Sequence, residues 1–232
     1  MEKGRNARYG AATGILAVVV TVVGYSIFSS DIPDADGSAQ QWQSFFTDHQ
    51  DRIQTGLTIV GVGLFFFIWF LGSIRDAVAG AEGGGGRLAS IAHGGGLVGA
   101  TCLVVALGGY LAAAIHPQAA DPSVTRALSD FATLIGAPAA AGFTAMFAAT
   151  AVAGYRHDAL PAPVAGIAAL AAICQVFAYP TGVTETGAFA SDGALGLWVP
   201  FVTFMLAILA ISGALVSRAG EGAGAGQAAA SQ

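Results

Sequence analysis

Six long stretches of this chain are apolar on all sides and carry almost no charged side chain. They cover 9–28, 55–74, 88–115, 131–154, 164–179 and 195–216. A helix of about 20 apolar residues is needed to cross a hydrocarbon layer of about 30 Å, and each stretch is close to or above that length. The sequence therefore predicts an all-α fold, a bundle of six transmembrane helices. Pro138 lies inside the fourth stretch and is expected to kink that helix.

The composition excludes several other classes of protein. Charged residues make up 10% of the chain and hydrophobic residues 55%. Soluble domains carry about 25% charged residues, and disordered chains combine low hydrophobicity with high charge. Nucleic-acid binding is not expected either, because 9 Lys and Arg face 14 Asp and Glu and form no basic stripe.

The first span is expected to be a retained helix. Basic residues precede it, as in a signal peptide, but its apolar part is about 20 residues long, whereas a signal peptide has about 7–15. We expect one transmembrane domain over 1–218. The Gly-, Ala-, Ser- and Gln-rich segment 219–232 is predicted to be a disordered cytoplasmic tail.

Basic residues in the connections predict the orientation, because they concentrate on the cytoplasmic side. With the N-terminus inside, seven basic residues fall in inner segments and two in outer ones. The seven are Lys3, Arg5, Arg8, Arg75, Arg87, Arg156 and Arg218, and the two are Arg52 and Arg126. We therefore expect a multi-pass protein of the cell membrane with both termini in the cytoplasm.

The first outer connection is predicted to contain a short helix. Ser38 and Gln41 have the spacing of a capping box. Trp42, Phe45 and Phe46 follow on one helical face. We interpret this as an interfacial helix with its aromatic face in the membrane interface. The alternative is a lid over an outward-facing pocket.

The third span contains one candidate ligand-binding segment. His93 is the ionisable residue placed inside a span, and Gly94, Gly95 and Gly96 follow it. Three glycines could unwind the helix and open a site, as in the broken helices of transporters. The alternative is a close helix crossing, since Gly95 and Gly99 form a GxxxG pair.

A second candidate site is an outward-facing cavity under the first outer connection. Gln175, Tyr179 and Trp42 are the residues expected to line such a cavity. Few ionisable groups lie within the spans, which argues against an ion-coupled pump.

The sequence predicts no catalytic residues, no metal site and no cofactor. It contains no Gly-x-Ser-x-Gly, His-Glu-x-x-His or Cys-x-x-Cys motif. One alternative is a haem electron-transfer protein. In it, His49 and His116 would pair near the outer face, and His93 and His157 near the inner face.

The chain resembles a group of uncharacterised six-span bacterial membrane proteins of actinobacterial type. The resemblance lies in 45–49, 70–88 and 187–195. It implies six spans and no activity. We expect a non-enzymatic protein that binds a partner, a lipid or an apolar small molecule, with a transport or substrate-capture component as the alternative. Its expected partners are the lipid bilayer and a membrane protein or a second copy of itself.

Overall fold

A computed structural model describes residues 2–84 and 86–230, with side chains over 6–84 and 86–220. The described residues form helices and no strand, which confirms the all-α prediction. The α-helices are α1 (Glu2–Phe28), α2 (Ala39–Asp48), α3 (Gln50–Ala81), α4 (Arg87–Ile115), α5 (Pro122–Leu134), α6 (Gly136–His157), α7 (Ala162–Gln175) and α8 (Val199–Ala230). A 3₁₀ segment, Val176–Gly182, continues α7, and a π-helical turn, Ala194–Trp198, precedes α8.

Six helical segments are long and apolar enough to cross a membrane, as the sequence predicts. They are Asn6–Phe28, Gln50–Ala81, Arg87–Ile115, Pro122–His157, Ala162–Gly182 and Ala194–Gly220. Large apolar side chains such as Val19, Phe65 and Leu170 are exposed along them, which fits a surface covered by lipid tails. The tail predicted to be disordered, 219–232, lies almost wholly outside the residues whose side chains are described and stays a prediction.

The six spans form a closed ring. Each packs against the next in the order α1, α3, α4, α6, α7 and α8, and α8 closes the ring on α1. Successive spans run in opposite directions, so α2 and the connections 29–38, 116–121 and 183–193 share one end, which we call the α2 end. The connections 82–86 and 158–161 lie at the opposite end.

The inside of the ring is packed differently along its length. Toward the opposite end the centre is filled by large side chains, among them Phe70, Met146, Phe147 and Ile208, all fully buried. A second apolar cluster lies at the α2 end and joins α2 to α1, α3 and α4. An open space remains between these two clusters.

Helix α2 forms where the capping box predicts it. The Ser38 hydroxyl accepts from the Gln41 N–H, and the Gln41 side chain accepts from the Ser38 N–H at 2.7 Å. Its aromatic face is not in the membrane interface, which corrects that expectation. Trp42, Phe45 and Phe46 are buried against the bundle, because the neighbouring helix ends supply an apolar surface that removes these rings from water.

Glutamines fasten the start of α3 to the end of α4. The side-chain amides of Gln50 and Gln54 donate to the Ala114 carbonyl at 2.8 and 2.9 Å. Gln43 of α2 donates to the carbonyls of Pro117 and Ala120 just beyond. The last carbonyls of a helix have no partner within it, so these amides satisfy groups that would otherwise be unpaired.

The fourth span is divided into α5 and α6 at Ile135. Pro138 lies in the first turn of α6 and has no N–H to donate to the carbonyl four residues earlier, Leu134. The predicted kink is therefore a break between two helices. Ala132, Thr133 and Gly136, on both sides of this break, line the open space within the ring.

Candidate functional site

A cavity of about 340 Å³ lies inside the ring in the half nearer the α2 end. Its floor contains the rings of Phe67, Phe143 and Phe204, whose centroids are 4.7–5.9 Å apart. These three rings belong to α3, α6 and α8 and meet across the centre of the bundle. They separate the cavity from the filled half of the ring.

Aromatic side chains also form much of the cavity wall. Phe28 and Tyr110 have ring centroids 5.0 Å apart, and Tyr25 and Phe201 are also 5.0 Å apart. The four residues come from α1, α4 and α8, and all of them line the cavity. A pocket of this size and character resembles the mostly apolar clefts in which proteins hold small molecules.

Small side chains leave the space open. Several residues that face the cavity are alanine or glycine, among them Ala17, Ala106, Ala139, Ala140 and Gly196. Their side chains are too short to fill the centre of the ring, although the helices pack closely side by side. Toward the opposite end the same central position is occupied by phenylalanine and methionine side chains. The cavity therefore follows from where large and small residues lie along the spans.

Few polar groups face the cavity, and some of them are already bonded. The Tyr110 hydroxyl and Thr133 Oγ1 are 2.6 Å apart. Gln175 is 4% exposed and donates its Nε2 to the Pro200 carbonyl at 2.9 Å. Among the described residues no group donates to Gln175 Oε1. This oxygen therefore has unused capacity to accept a hydrogen bond.

A cover closes the cavity at the α2 end. It is formed by Ile32, Pro33 and Ala35 of the first connection, by Trp42 of α2, and by Ser191 and Asp192. We call the segment 31–37 the strap. The Ala35 N–H donates to Asp192 Oδ2 at 2.9 Å, so the strap is tied to the connection before α8.

Arg126 of α5 holds the strap from the other side. Its guanidinium donates to the Ala35 carbonyl at 2.6 Å and to the Gly37 carbonyl. It also forms an ion pair with Asp130 at 2.8 Å, the partner that its i, i+4 spacing on the helix allows. Its guanidinium carbon lies 5.7 Å from the centre of the Trp42 ring, so Arg126 contacts both the strap and α2.

The α2 end is strongly acidic. It carries two arginines, Arg52 and Arg126, and nine acidic side chains, a net formal charge of −7. The acidic residues are Asp31, Asp34, Asp36, Asp48, Asp51, Asp121, Asp130, Glu185 and Asp192. Hydrogen bonds from the Ser123 hydroxyl and N–H lower the pKa of Asp121, which caps α5.

Two of the three residues named in the sequence analysis as lining an outward-facing cavity line the cavity at the α2 end. Trp42 and Gln175 face the cavity from the cover and the wall. Tyr179 does not line it. Its side chain is 41% exposed on the outside of the 3₁₀ segment, and its hydroxyl donates to Thr144 Oγ1 at 3.2 Å.

The segment at His93 is a helix crossing and is separate from this cavity. Helix α4 continues without a break through Gly94, Gly95 and Gly96. A Cβ on Gly95 would lie 2.6 Å from the Gly142 carbonyl oxygen, so α4 and α6 touch through their backbones. His93 Nδ1 is buried and has no hydrogen-bond partner among the described residues.

The four histidines lie at separate places along the helices. His49 joins α2 to α3 and stacks on Phe45, with ring centroids 5.8 Å apart. His116 and His157 are exposed at the ends of α4 and α6. Within the described residues, no three His, Cys, Asp or Glu side chains form a group that could hold a metal ion. The haem alternative stays a prediction.

Sequence reasoning missed Tyr25, Tyr110, Arg126 and Asp192. Tyr25 and Tyr110 lie near the ends of their spans, where tyrosines commonly occupy the membrane interface, so position alone does not indicate a cavity. Arg126 and Asp130 have the i, i+4 spacing of an ion pair on one helix, which does not indicate a contact with the strap. Asp192 is 157 positions from Ala35, and no local pattern indicates that the two connections meet. The available signal was the concentration of acidic residues in the connections at the α2 end.

Comparisons of the chain with protein-family models, with curated proteins and with solved structures found no match. The resemblance to a six-span bacterial group therefore stays a prediction from the sequence.

Proposed function

We propose that this chain is a non-enzymatic binding protein of a bacterial cytoplasmic membrane that holds a lipid or another apolar small molecule in the cavity. The observation that carries the proposal is the partly open cavity of about 340 Å³ within the ring, with an aromatic floor and wall. Its polar groups are hydroxyls, one amide and one carboxylate, which suit orientation of a ligand. General acid–base chemistry needs positioned proton donors and acceptors with tuned pKa values, and this lining favours binding over catalysis.

The proposed orientation places the α2 end outside and both termini in the cytoplasm. The excess of basic residues at the opposite end supports it. Single cysteines at Asp36→Cys and His157→Cys test it, in a chain whose Cys102 and Cys174 are replaced by alanine. In whole cells, a membrane-impermeant maleimide is expected to label position 36 and to label position 157 only after lysis. The reverse pattern would contradict the orientation.

Occupancy of the cavity is tested with protein in lipid nanodiscs. N-phenylnaphthylamine, a neutral apolar fluorescent probe, is expected to bind above the level of empty nanodiscs. Native mass spectrometry of the purified protein is expected to show a co-purified small molecule. Absence of both a bound molecule and probe binding would reject the proposed function.

Two adjacent alanines provide a matched pair of variants. Ala140 is buried and faces the cavity, whereas Ala141 is exposed on the outside of α6. Ala140→Leu places extra carbon atoms in the cavity and is expected to weaken probe binding by about fivefold to a hundredfold, since overpacking costs about 1–3 kcal/mol and tenfold is about 1.4 kcal/mol. Ala141→Leu is expected to bind like the parent. Equal binding by both variants would place the probe elsewhere.

A second candidate function is a transport or substrate-capture component. It is favoured by the position of the cavity directly under α2 and the strap, at the end proposed to face outward. Proteoliposomes loaded with the probe distinguish the two functions. If the protein transports the probe, the probe leaves these vesicles faster than it leaves protein-free vesicles, and Ala140→Leu abolishes the difference. If the protein only binds the probe, the rate of release equals that of protein-free vesicles.

A further inference from the structure

We propose that the ligand of the cavity is a lipophilic cation, an apolar and largely aromatic body carrying one positive charge. The proposal rests on the proposed function of the cavity and specifies the chemistry of its occupant.

Asp192 is the lining residue that carries a formal charge at neutral pH. The other lining residues are apolar or carry hydroxyls, one amide and the indole N–H of Trp42, and no Lys, Arg or His in the described residues lines the cavity. An anionic ligand would meet a negative charge at the rim. A cation would meet its counter-charge there while its apolar body enters the cavity.

The Asp192 carboxylate has no ion-pair partner in the described part of the protein, unlike two other carboxylates at the α2 end. Asp31 pairs with Arg52 at 3.0 Å, and Asp130 pairs with Arg126 at 2.8 Å. Asp192 accepts one backbone N–H through Oδ2, from Ala35, and no described basic group lies within ion-pair distance of it. The carboxylate is therefore bonded to the strap, is exposed, and has no ion-pair partner of its own among the described residues.

The aromatic side chains provide a second attraction for a cation. Tyr25 and Trp42 line the upper cavity, and the faces of such rings attract positive charge. Trp42 already has the guanidinium of Arg126 over its ring, at 5.7 Å, and the charge of that guanidinium is matched by Asp130.

The charge of the whole α2 end acts in the same direction. A net formal charge of −7 on this end raises the local concentration of cations and lowers that of anions. This long-range effect is shared by every acidic residue on the face. A test must therefore separate it from the local effect of Asp192.

The test compares two ions of the same shape and opposite charge, tetraphenylphosphonium and tetraphenylborate. Binding is measured by equilibrium dialysis against protein in zwitterionic nanodiscs, with empty nanodiscs subtracted because both ions partition into lipid. The phosphonium is expected to bind above the empty discs and the borate is not. Stronger or equal binding of the borate would overturn the proposal.

Asp192→Asn and Asp34→Asn form the matched pair of variants. The asparagine at position 192 can still accept from Ala35, so this change removes charge and keeps the hydrogen bond. Asp34 is exposed on the same end and does not line the cavity. Asp192→Asn is expected to weaken phosphonium binding about fivefold, the size of a partly exposed ion pair, and Asp34→Asn less than about twofold.

The outcomes also separate this inference from the proposed function. If N-phenylnaphthylamine binds and both aspartate variants hold the phosphonium equally well, the cavity binds apolar molecules and the charge preference is wrong. If neither the neutral probe nor the phosphonium binds above empty discs, the proposed function fails as well.

Discussion

Ser212 donates its hydroxyl to the carbonyl of Ala11 at 2.5 Å, across 201 positions of sequence. Both residues are almost completely buried. The bond joins the last span to the first and closes the ring of six helices. Close beside it, a Cβ on Gly14 would lie 2.9 Å from the Ser212 Cβ, so α1 and α8 are in tight contact at this level.

Replacing Ser212 by alanine is expected to lower the free energy of unfolding by about 0.5–1.5 kcal/mol. The Ala11 carbonyl keeps its bond within α1, so the loss is that of one interhelical hydrogen bond, which is modest in membranes. Unfolding by SDS in mixed micelles measures it. Ser217→Ala is the control, because that exposed hydroxyl bonds only Gly213 in its own helix. An equal effect of both changes would contradict the role of Ser212.

The spans and α2 were predictable because they depend on local properties of the chain. Hydrophobicity over about 20 residues reports the energy of placing a helix in lipid, so six spans could be assigned without knowing their neighbours. The capping box at Ser38 and Gln41 is equally local, since both partners lie within one helical turn.

The order of helices in the ring and the cavity were not predictable in this way. The aromatic face of α2 has the same pattern whether it lies on lipid headgroups or on the bundle. Only the neighbours, the ends of α1, α3 and α4, decide that Trp42 and Phe46 turn inward. The tie between Ala35 and Asp192 likewise depends on two connections that meet only when the ring closes.

The crossing of α4 and α6 predicts a sharp difference between two glycines. A Cβ on Gly142 would lie 2.6 Å from the Gly95 oxygen and 2.7 Å from the Gly99 nitrogen, both backbone atoms that cannot move alone. Gly142→Ala is therefore expected to destabilise the fold by about 2–3 kcal/mol or more. Thermal unfolding in detergent measures the effect.

Gly108→Ala is the control for this crossing. No atom lies within 4 Å of a Cβ at Gly108, so alanine is expected to leave stability unchanged or raise it by up to about 1 kcal/mol. A Gly142→Ala protein that unfolds at the same temperature as Gly108→Ala would show that α4 and α6 do not cross through their backbones.

Arg126→Gln is expected to loosen the strap over the cavity. The change removes the Asp130 ion pair and weakens the bonds to the Ala35 and Gly37 carbonyls. Hydrogen–deuterium exchange of a peptide spanning 31–38 is expected to quicken severalfold, since local opening governs exchange there. Arg75→Gln, at the opposite end, is expected to leave this peptide unchanged. Unchanged exchange in Arg126→Gln would show that Arg126 does not hold the strap and that its other ties, to Asp192 and Arg52, suffice.

Glu82 acts as a cap for the start of α4 and makes the opposite end sensitive to acid. Gly86 precedes α4 in a left-handed conformation, with φ of 59°, and has no side chain to cap the helix. Instead the two carboxylate oxygens of Glu82 accept from the N–H groups of Leu88 and Ala89, each at 2.9 Å. These bonds lower the pKa of Glu82, the bond from Leu88 contributing most.

The lowered pKa predicts how stability at this end depends on pH. The Glu82 carboxyl binds its proton less tightly in the folded protein than in the unfolded chain, where glutamate has a pKa of about 4.3. The contribution of the Glu82 cap to the free energy of unfolding is therefore fully present above about pH 4.3. It is lost as the pH falls through the lower pKa of the folded state. Glu82→Gln is therefore expected to unfold more easily than the parent at pH 6.5, by a margin that shrinks as the pH falls below about 4.3. Glu185→Gln, whose exposed carboxylate accepts no hydrogen bond from the described residues, should match the parent over the whole range, and a Glu82→Gln difference that does not shrink in acid would contradict the cap.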